Sequence, residues 1–170
     1  MALVYLSLGS NQGDRAAILR HALAALPDAT GGQLLRVSRL YETAPWGLTE
    51  QPPFLNLAAA VETPLPPADL LAALKHLEAN AGRTAGPRWG PRPLDIDILL
   101  YDSLTQAGPP LTIPHPRMLE RRFVLQPLAD IWPRDTPLLG RPLTAWLQAV
   151  ADQDVTLVAG DLPHQTPPPP

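Results

Sequence analysis

The chain has no cysteine, and of its 13 basic residues only Lys75 is a lysine. Without cysteine there is no disulfide, no thiolate metal site and no cysteine nucleophile, and a reducing compartment is compatible with the composition. Charge is also scarce. Charged residues make up 17% of the chain and the net charge is −3, which excludes a protein that grips nucleic acid or an anionic membrane by bulk charge, so any basic site must be local. Long hydrophobic runs are missing too. The opening MALVYLSLGSNQGDR has no basic segment before its apolar stretch, which is strand-sized and closes at Gly9-Ser10-Asn11, so it reads as neither a signal peptide nor a membrane span. The expectations are cytoplasmic residence, no nucleic-acid partner and no membrane. With 170 residues, the chain predicts a single domain over residues 1–160 and a disordered Pro-rich tail over 161–170.

What is present has a clear order. ALVYLSL (2–8) reads as a buried strand ending at Gly9, and from Asp14 a helical pattern recurs at Ile18, Leu19, Ala22, Leu23 and Leu26. Residues 33–41 have strand character, TAPWGLTEQPP interrupts them, and FLNLAAAVE resumes an extended run at Phe54. Pro66 and Pro67 open a helix carried by Leu70, Leu71, Leu74, Leu77 and Glu78 to about Ala81. A strand, LDIDILLY, follows at 94–101. The order β-α-β-β-α-β predicts an α+β, ferredoxin-like antiparallel sheet with helices on one face. Downstream, LTIPHPRMLERRFVLQPLADI reads as a short strand, a turn and a helix, and RPLTAWLQAV as another helix, giving C-terminal helical additions.

One stretch resists a purely structural account. In RWGPRPLDIDILLYD, period 2 sends Leu94, Ile96, Ile98 and Leu100 to one face and Asp95, Asp97, Leu99 and Tyr101 to the other. The two carboxylates then stand roughly 6.6 Å apart on one side. A solvated edge is one reading of such a pair. The alternative is a metal-phosphate site, because Arg83, Arg88 and Arg92 lie just upstream in a loop without acidic residues. Mg2+ is held by one or two carboxylates plus substrate phosphates, while arginines take the remaining phosphate oxygens. The glycine turn before the first helix could bind phosphate, but it lacks a P-loop ending, and a structural turn explains it as well. His115 reads either as a turn histidine or, with Arg117, Arg121 and Arg122, as part of a second phosphate-compatible cluster. The two phenylalanines, Phe54 and Phe123, each stand beside polar residues. They are either core or a platform for a flat heterocycle.

Taken together, LGSNQGDR (8–15), YETAPWG (41–47), QPPFLNLA (51–58), RWGPRPLDIDILLY (88–101) and TIPHPRMLERRFVLQPL (112–128) resemble the 6-hydroxymethyl-7,8-dihydropterin pyrophosphokinase family. The resemblance implies transfer of pyrophosphate from ATP to 6-hydroxymethyl-7,8-dihydropterin, giving the pterin diphosphate and AMP in folate biosynthesis. By that likeness Asp95 and Asp97 ligate two Mg2+ ions, and Arg83 and Arg92 are catalytic, stabilising the transferred group. Phe54 and Phe123 stack on the pterin, Asn56 pairs with its edge, Thr43, Ala44 and Trp46 line its pocket, and Trp89 closes over it. Glu78, Arg88, Ile98, Thr112, His115 and Arg121 hold ATP. The partners expected are these two small molecules, with the enzyme a monomer. Competing readings are another Mg2+-dependent nucleotidyl- or phosphotransferase and a non-enzymatic ferredoxin-like binding module.

Overall fold

The computed structural model describes residues 1–44, 50–82 and 93–158. The 161–170 tail, Trp46, Arg83, Arg88, Trp89 and Arg92 lie outside the described residues. The elements run β1 (Ala2–Ser10), α1 (Arg15–Thr30), β2 (Gln33–Val37), β3 (Leu40–Thr43), β4 (Phe54–Thr63), α2 (Pro67–Asn80), β5 (Asp95–Tyr101), a 3-10 turn (Met118–Glu120), α3 (Arg122–Ile131), α4 (Leu143–Ala149) and β6 (Val155–Val158). The strands form one antiparallel sheet in the order β5-β1-β4-β3-β6, with β2 also paired to β4. No helix among the described residues is long and apolar enough to cross a membrane.

Local chemistry sets the boundaries. The Asp14 carboxylate accepts the Ala17 N–H at 3.1 Å and caps α1, and Gly31 ends it in the left-handed region, at φ 64°. Pro67 stands at the start of α2, where its missing N–H costs nothing. The expected strand over 33–41 is two strands laid end to end along β4. The break falls at Ser38, whose Oγ accepts the Ala58 N–H and donates to the Arg39 carbonyl, both at 2.8 Å. Those bonds satisfy a buried backbone where the ladder is interrupted. β1 continues to Ser10, so Gly9 is a strand residue rather than the start of a turn. β6 is an addition that sequence pattern did not reveal, and the expected strand near residue 112 is only a bridge between Gln106 and Ile113.

Alternation along the strands makes two cores. Leu6, Leu8, Leu57, Ala59, Val61, Ile96 and Ile98 pack with Leu19, Leu23, Leu70 and Leu74 beneath α1 and α2. The opposite face sets Tyr5, Ala58, Ala60, Leu99 and Leu100 against Leu125, Leu128 and Ile131 of α3, with Leu143 of α4. The C-terminal helices thus cover the second face of the sheet. One expected detail changes here. The β1–β5 register shifts between Tyr5 and Leu6, pairing Tyr5 with Leu100 and Leu6 with Ile98. The extra residue in β5 is Leu99, a bulge. Beyond it the alternation reverses, so Leu100 joins Leu99 on the α3 side, while Tyr101 turns to the α1/α2 side and donates to the Leu65 carbonyl at 2.7 Å.

Candidate active site

The apolar cluster on the second face takes in Tyr5, Ala58 and Ala60 but not Ser7, Gly9 or Asn56. Toward the end of β1 that carries Gly9, paired residues form a polar row across the sheet. Asp95 pairs with Gly9, Gly9 with Asn56, and Asn56 with Tyr41. In the next row Asp97 pairs with Ser7, and Ser7 with Ala58. Paired residues of antiparallel strands share a face, so the two carboxylates stand on the same side as Asn56, separated from it by a strip of small side chains. This strip of Gly9, Ser7 and Ala58 forms the floor between them.

Gly9 is required by the floor. A Cβ there would sit 2.9 Å from Asn56 Oδ1 and 3.7 Å from the Phe54 ring, so any side chain would push the amide aside. Asn56 is buried and its Nδ2 donates to Thr43 Oγ1 at 2.9 Å, which orients Oδ1 toward the Gly9 strand. Phe54 pairs with Thr43 at the rim, and Ala44 follows it, exposed. Asn11, fully buried, donates through Nδ2 to Gln51 Oε1 and the Pro52 carbonyl, at 3.0 and 3.2 Å. Arg15 donates to the Pro53 carbonyl at 2.8 Å and pairs with Glu42 at 3.1 Å. These contacts hold the segment leading into Phe54, so Asn11 and Arg15 of SNQGDR serve here as a structural brace.

The loop before α3 brings His115 and Arg121 near the carboxylates, and Phe123 follows in the first turn of α3. The His115 N–H donates to the Leu99 carbonyl at 2.9 Å, at the bulge. Its Nδ1 accepts the Arg117 N–H at 3.1 Å, and its Nε2 lies 3.9 Å from Asp97 Oδ2. An acceptor at Nδ1 requires the neutral ring. Burial, then the Arg121 and Arg117 charges, hold the imidazole down to about 4, with Asp95 opposing. The 3.9 Å gap to Asp97 is too long for a hydrogen bond and does not offset this. The Arg121 guanidinium lies 5.5 Å above the Phe123 ring. Burial lowers its pKa, and the nearby Asp97 and Asp95 work in the other direction. Phe123 is partly buried against the α3-side core.

Glu78 and Ile98 occupy a different place. Glu78 is buried, and its Oε1 accepts the Ile96 N–H at 2.8 Å. The Ile98 side chain lies in the α1/α2-side core. Thr112 is exposed and its Oγ1 accepts the Gly108 N–H at 3.0 Å. Sequence reasoning missed Gly9 as part of the floor because it took the residue for a turn. A glycine extending an apolar strand was the available signal for a close approach.

Asp95 and Asp97 suit a hard cation, since both offer oxygen and neither is deeply buried. Among the described residues no cluster of three or more His, Cys, Asp or Glu side chains completes a metal cage. A two-carboxylate set fits Mg2+, which keeps waters and takes substrate phosphates.

The profile of the family described as 7,8-dihydro-6-hydroxymethylpterin-pyrophosphokinase (HPPK) matches residues 5–133. A 2-amino-4-hydroxy-6-hydroxymethyldihydropteridine pyrophosphokinase of Bacillus subtilis is 46% identical over 129 residues, 76% of this chain and 77% of that protein. The protein of the same name in Pseudomonas aeruginosa is 41% identical over 157 residues, 92% of this chain and 97% of its own length. The mitochondrial folate synthesis bifunctional protein of Pisum sativum is 48% identical over 128 residues, 75% of this chain but 25% of that protein. Among solved structures, Plasmodium falciparum HPPK-DHPS with pteroate aligns with a TM-score of 0.69 at 16% identity, over 89% of this chain and 42% of that one. At that identity the likeness speaks for the ferredoxin-like fold alone.

Proposed function

The chain belongs to the 7,8-dihydro-6-hydroxymethylpterin-pyrophosphokinase family, and from that premise we propose how its residues divide the reaction. ATP is the co-substrate, and the pterin hydroxymethyl oxygen attacks the β-phosphorus. The bond from that phosphorus to the α,β-bridging oxygen breaks, and AMP leaves. The observation that carries this reading is the row running from Asp95 through Gly9 to Asn56. It has carboxylates at one end, a hydrogen-bonding amide at the other, and a glycine between them.

Asn56 binds the pterin edge. With Nδ2 engaged by Thr43, its Oδ1 is oriented to accept ring N–H groups. Phe54 and Phe123 stack on the ring, and Thr43, Ala44, Trp46 and Trp89 complete its surroundings. Asp95 and Asp97 would hold two Mg2+ ions, which supply charge neutralisation for the phosphates. His115 and Arg121 face the phosphates from the loop before α3, with Arg88 on the nucleotide and Arg83 and Arg92 on the transferred group. Ile98 contributes through its backbone. The Ile96 N–H points off β5, the outermost strand, to Glu78, and strand alternation turns the Ile98 amide the same way, toward a base edge beside Thr112. Glu78 then acts by fixing the strand. Positioning and electrostatics suffice for this chemistry, so no general base is assigned.

We also propose that residues 1–160 act as one domain and as a monomer. A cytoplasmic setting suits a protein without cysteine. The test is AMP release from ATP and Mg2+ with and without 6-hydroxymethyl-7,8-dihydropterin. Pterin-dependent AMP is expected. ADP or free pyrophosphate instead would favour a different phosphotransferase, and binding without turnover a binding module.

A further inference from the structure

Arg121 is the one extended residue between the 3-10 turn and α3, with φ −120° and ψ 108°. The Arg121 side chain makes no capping hydrogen bond to the helix it precedes. The partner comes from the segment after α4. Gln153 Oε1 accepts the Arg122 N–H at 2.9 Å, and Gln153 Nε2 donates to the Glu120 carbonyl at 2.7 Å. Those two groups belong to the peptide planes on either side of the Arg121 Cα, so a single amide restrains both of its backbone torsions, as a neighbouring strand would. The Arg122 guanidinium reinforces the contact, donating to the Gln153 carbonyl at 2.7 Å and to the Ala151 carbonyl at 3.3 Å. Gln153 lies beyond residue 133, where the family match ends.

We propose that Gln153 is a positioning residue for Arg121, its amide fixing the backbone from which the guanidinium reaches over Phe123 toward the nucleotide phosphates. This rests on the assignment of Arg121 to ATP. Arg122 is spent on the clamp, which leaves Arg121 as the arginine of this pair that faces the site. A long side chain held at its root loses less freedom on binding an anion than one on a loose turn.

Gln153→Leu keeps the bulk and removes both bonds. The expected result is a KM for ATP raised about tenfold, the effect of roughly one hydrogen bond, with kcat much less affected. The Arg122 amide should exchange about tenfold faster. Combined with Arg121→Ala, Gln153→Leu should add nothing further to the KM, because one acts through the other. A lower melting temperature with KM unchanged would make Gln153 merely structural, and additive losses in the double variant would likewise overturn the proposal. Should Gln153→Leu not give folded protein, Gln153→Glu retains the acceptor for the Arg122 N–H, and a smaller rise in KM is expected. An unchanged KM there overturns the proposal as well. If the wild type releases no AMP, the functional reading falls on its own. Calorimetry with tripolyphosphate and Arg122 amide exchange then decide the clamp, and equal values in wild type and variant overturn it.

Discussion

The two faces of the sheet are built from the same strands and do opposite things. Toward α1 and α2, β1 and β4 present Val4, Leu6, Leu8, Leu57 and Val61, all at or near zero exposure, packed beneath the helices. Toward α3, the same strands present Ser7, Gly9 and Asn56, and the apolar cluster under α3 takes in Tyr5, Ala58 and Ala60 but none of those three. Alternation at period 2 lets one strand carry a dense core on one side and a floor on the other. The larger apolar cluster lies on the first face and the proposed site on the second, so substitutions should separate stability from activity by face.

The largest separation is expected at Asp97. Asp97→Asn should lower pterin-dependent AMP release by three orders of magnitude or so, by analogy with the loss of a charged group that holds metal and phosphate. The melting temperature in EDTA should stay level or rise slightly. A variant that keeps most of its activity would remove the metal-ligand assignment.

Leu57→Ala is the mirror experiment. Leu57 is fully buried under α1 and α2, and its truncation should cost about 2 to 5 kcal/mol in denaturant unfolding. At a temperature where the variant is folded, KM for both substrates should be nearly unchanged. A changed KM at constant fold would mean the faces are coupled.

Acid should act through the second face. His115 is held down to about 4, by burial first and then by Arg121 and Arg117, against 6.5 in the unfolded chain. The unfolded state therefore binds the extra proton over that window. Stability is fully present above pH 6.5 and falls as pH drops toward 4, by up to roughly 3 kcal/mol. His115→Gln should flatten that part of the metal-free stability profile. An equal slope in both proteins would show that other groups govern it.

The smallest effect expected is at Gly9. Gly9→Ala places a methyl 2.9 Å from Asn56 Oδ1 and should weaken pterin binding by one to two orders of magnitude, with ATP binding and melting temperature little altered. Calorimetry with each ligand decides it, and equal losses for both would mean that the whole floor has shifted.

Much of this was legible in the sequence. Residue types at fixed spacing determined the strand-helix order, the shared face of Asp95 and Asp97, the cap at Asp14, and the motifs that carry family membership, because each depends on neighbours within a few positions. The tertiary structure alone decided what depends on distant partners. The Leu99 bulge reverses the faces of Leu100 and Tyr101 because β1 and β5 must pair across it. Ser38 divides one expected strand because Ala58 bonds its hydroxyl. Gly9 becomes a floor residue only when Asn56, 47 positions later, arrives beside it. The hold on Arg121 comes from Gln153, a separation of 32 positions along the chain. A local pattern records which face a residue prefers, and only the folded register records what stands opposite it.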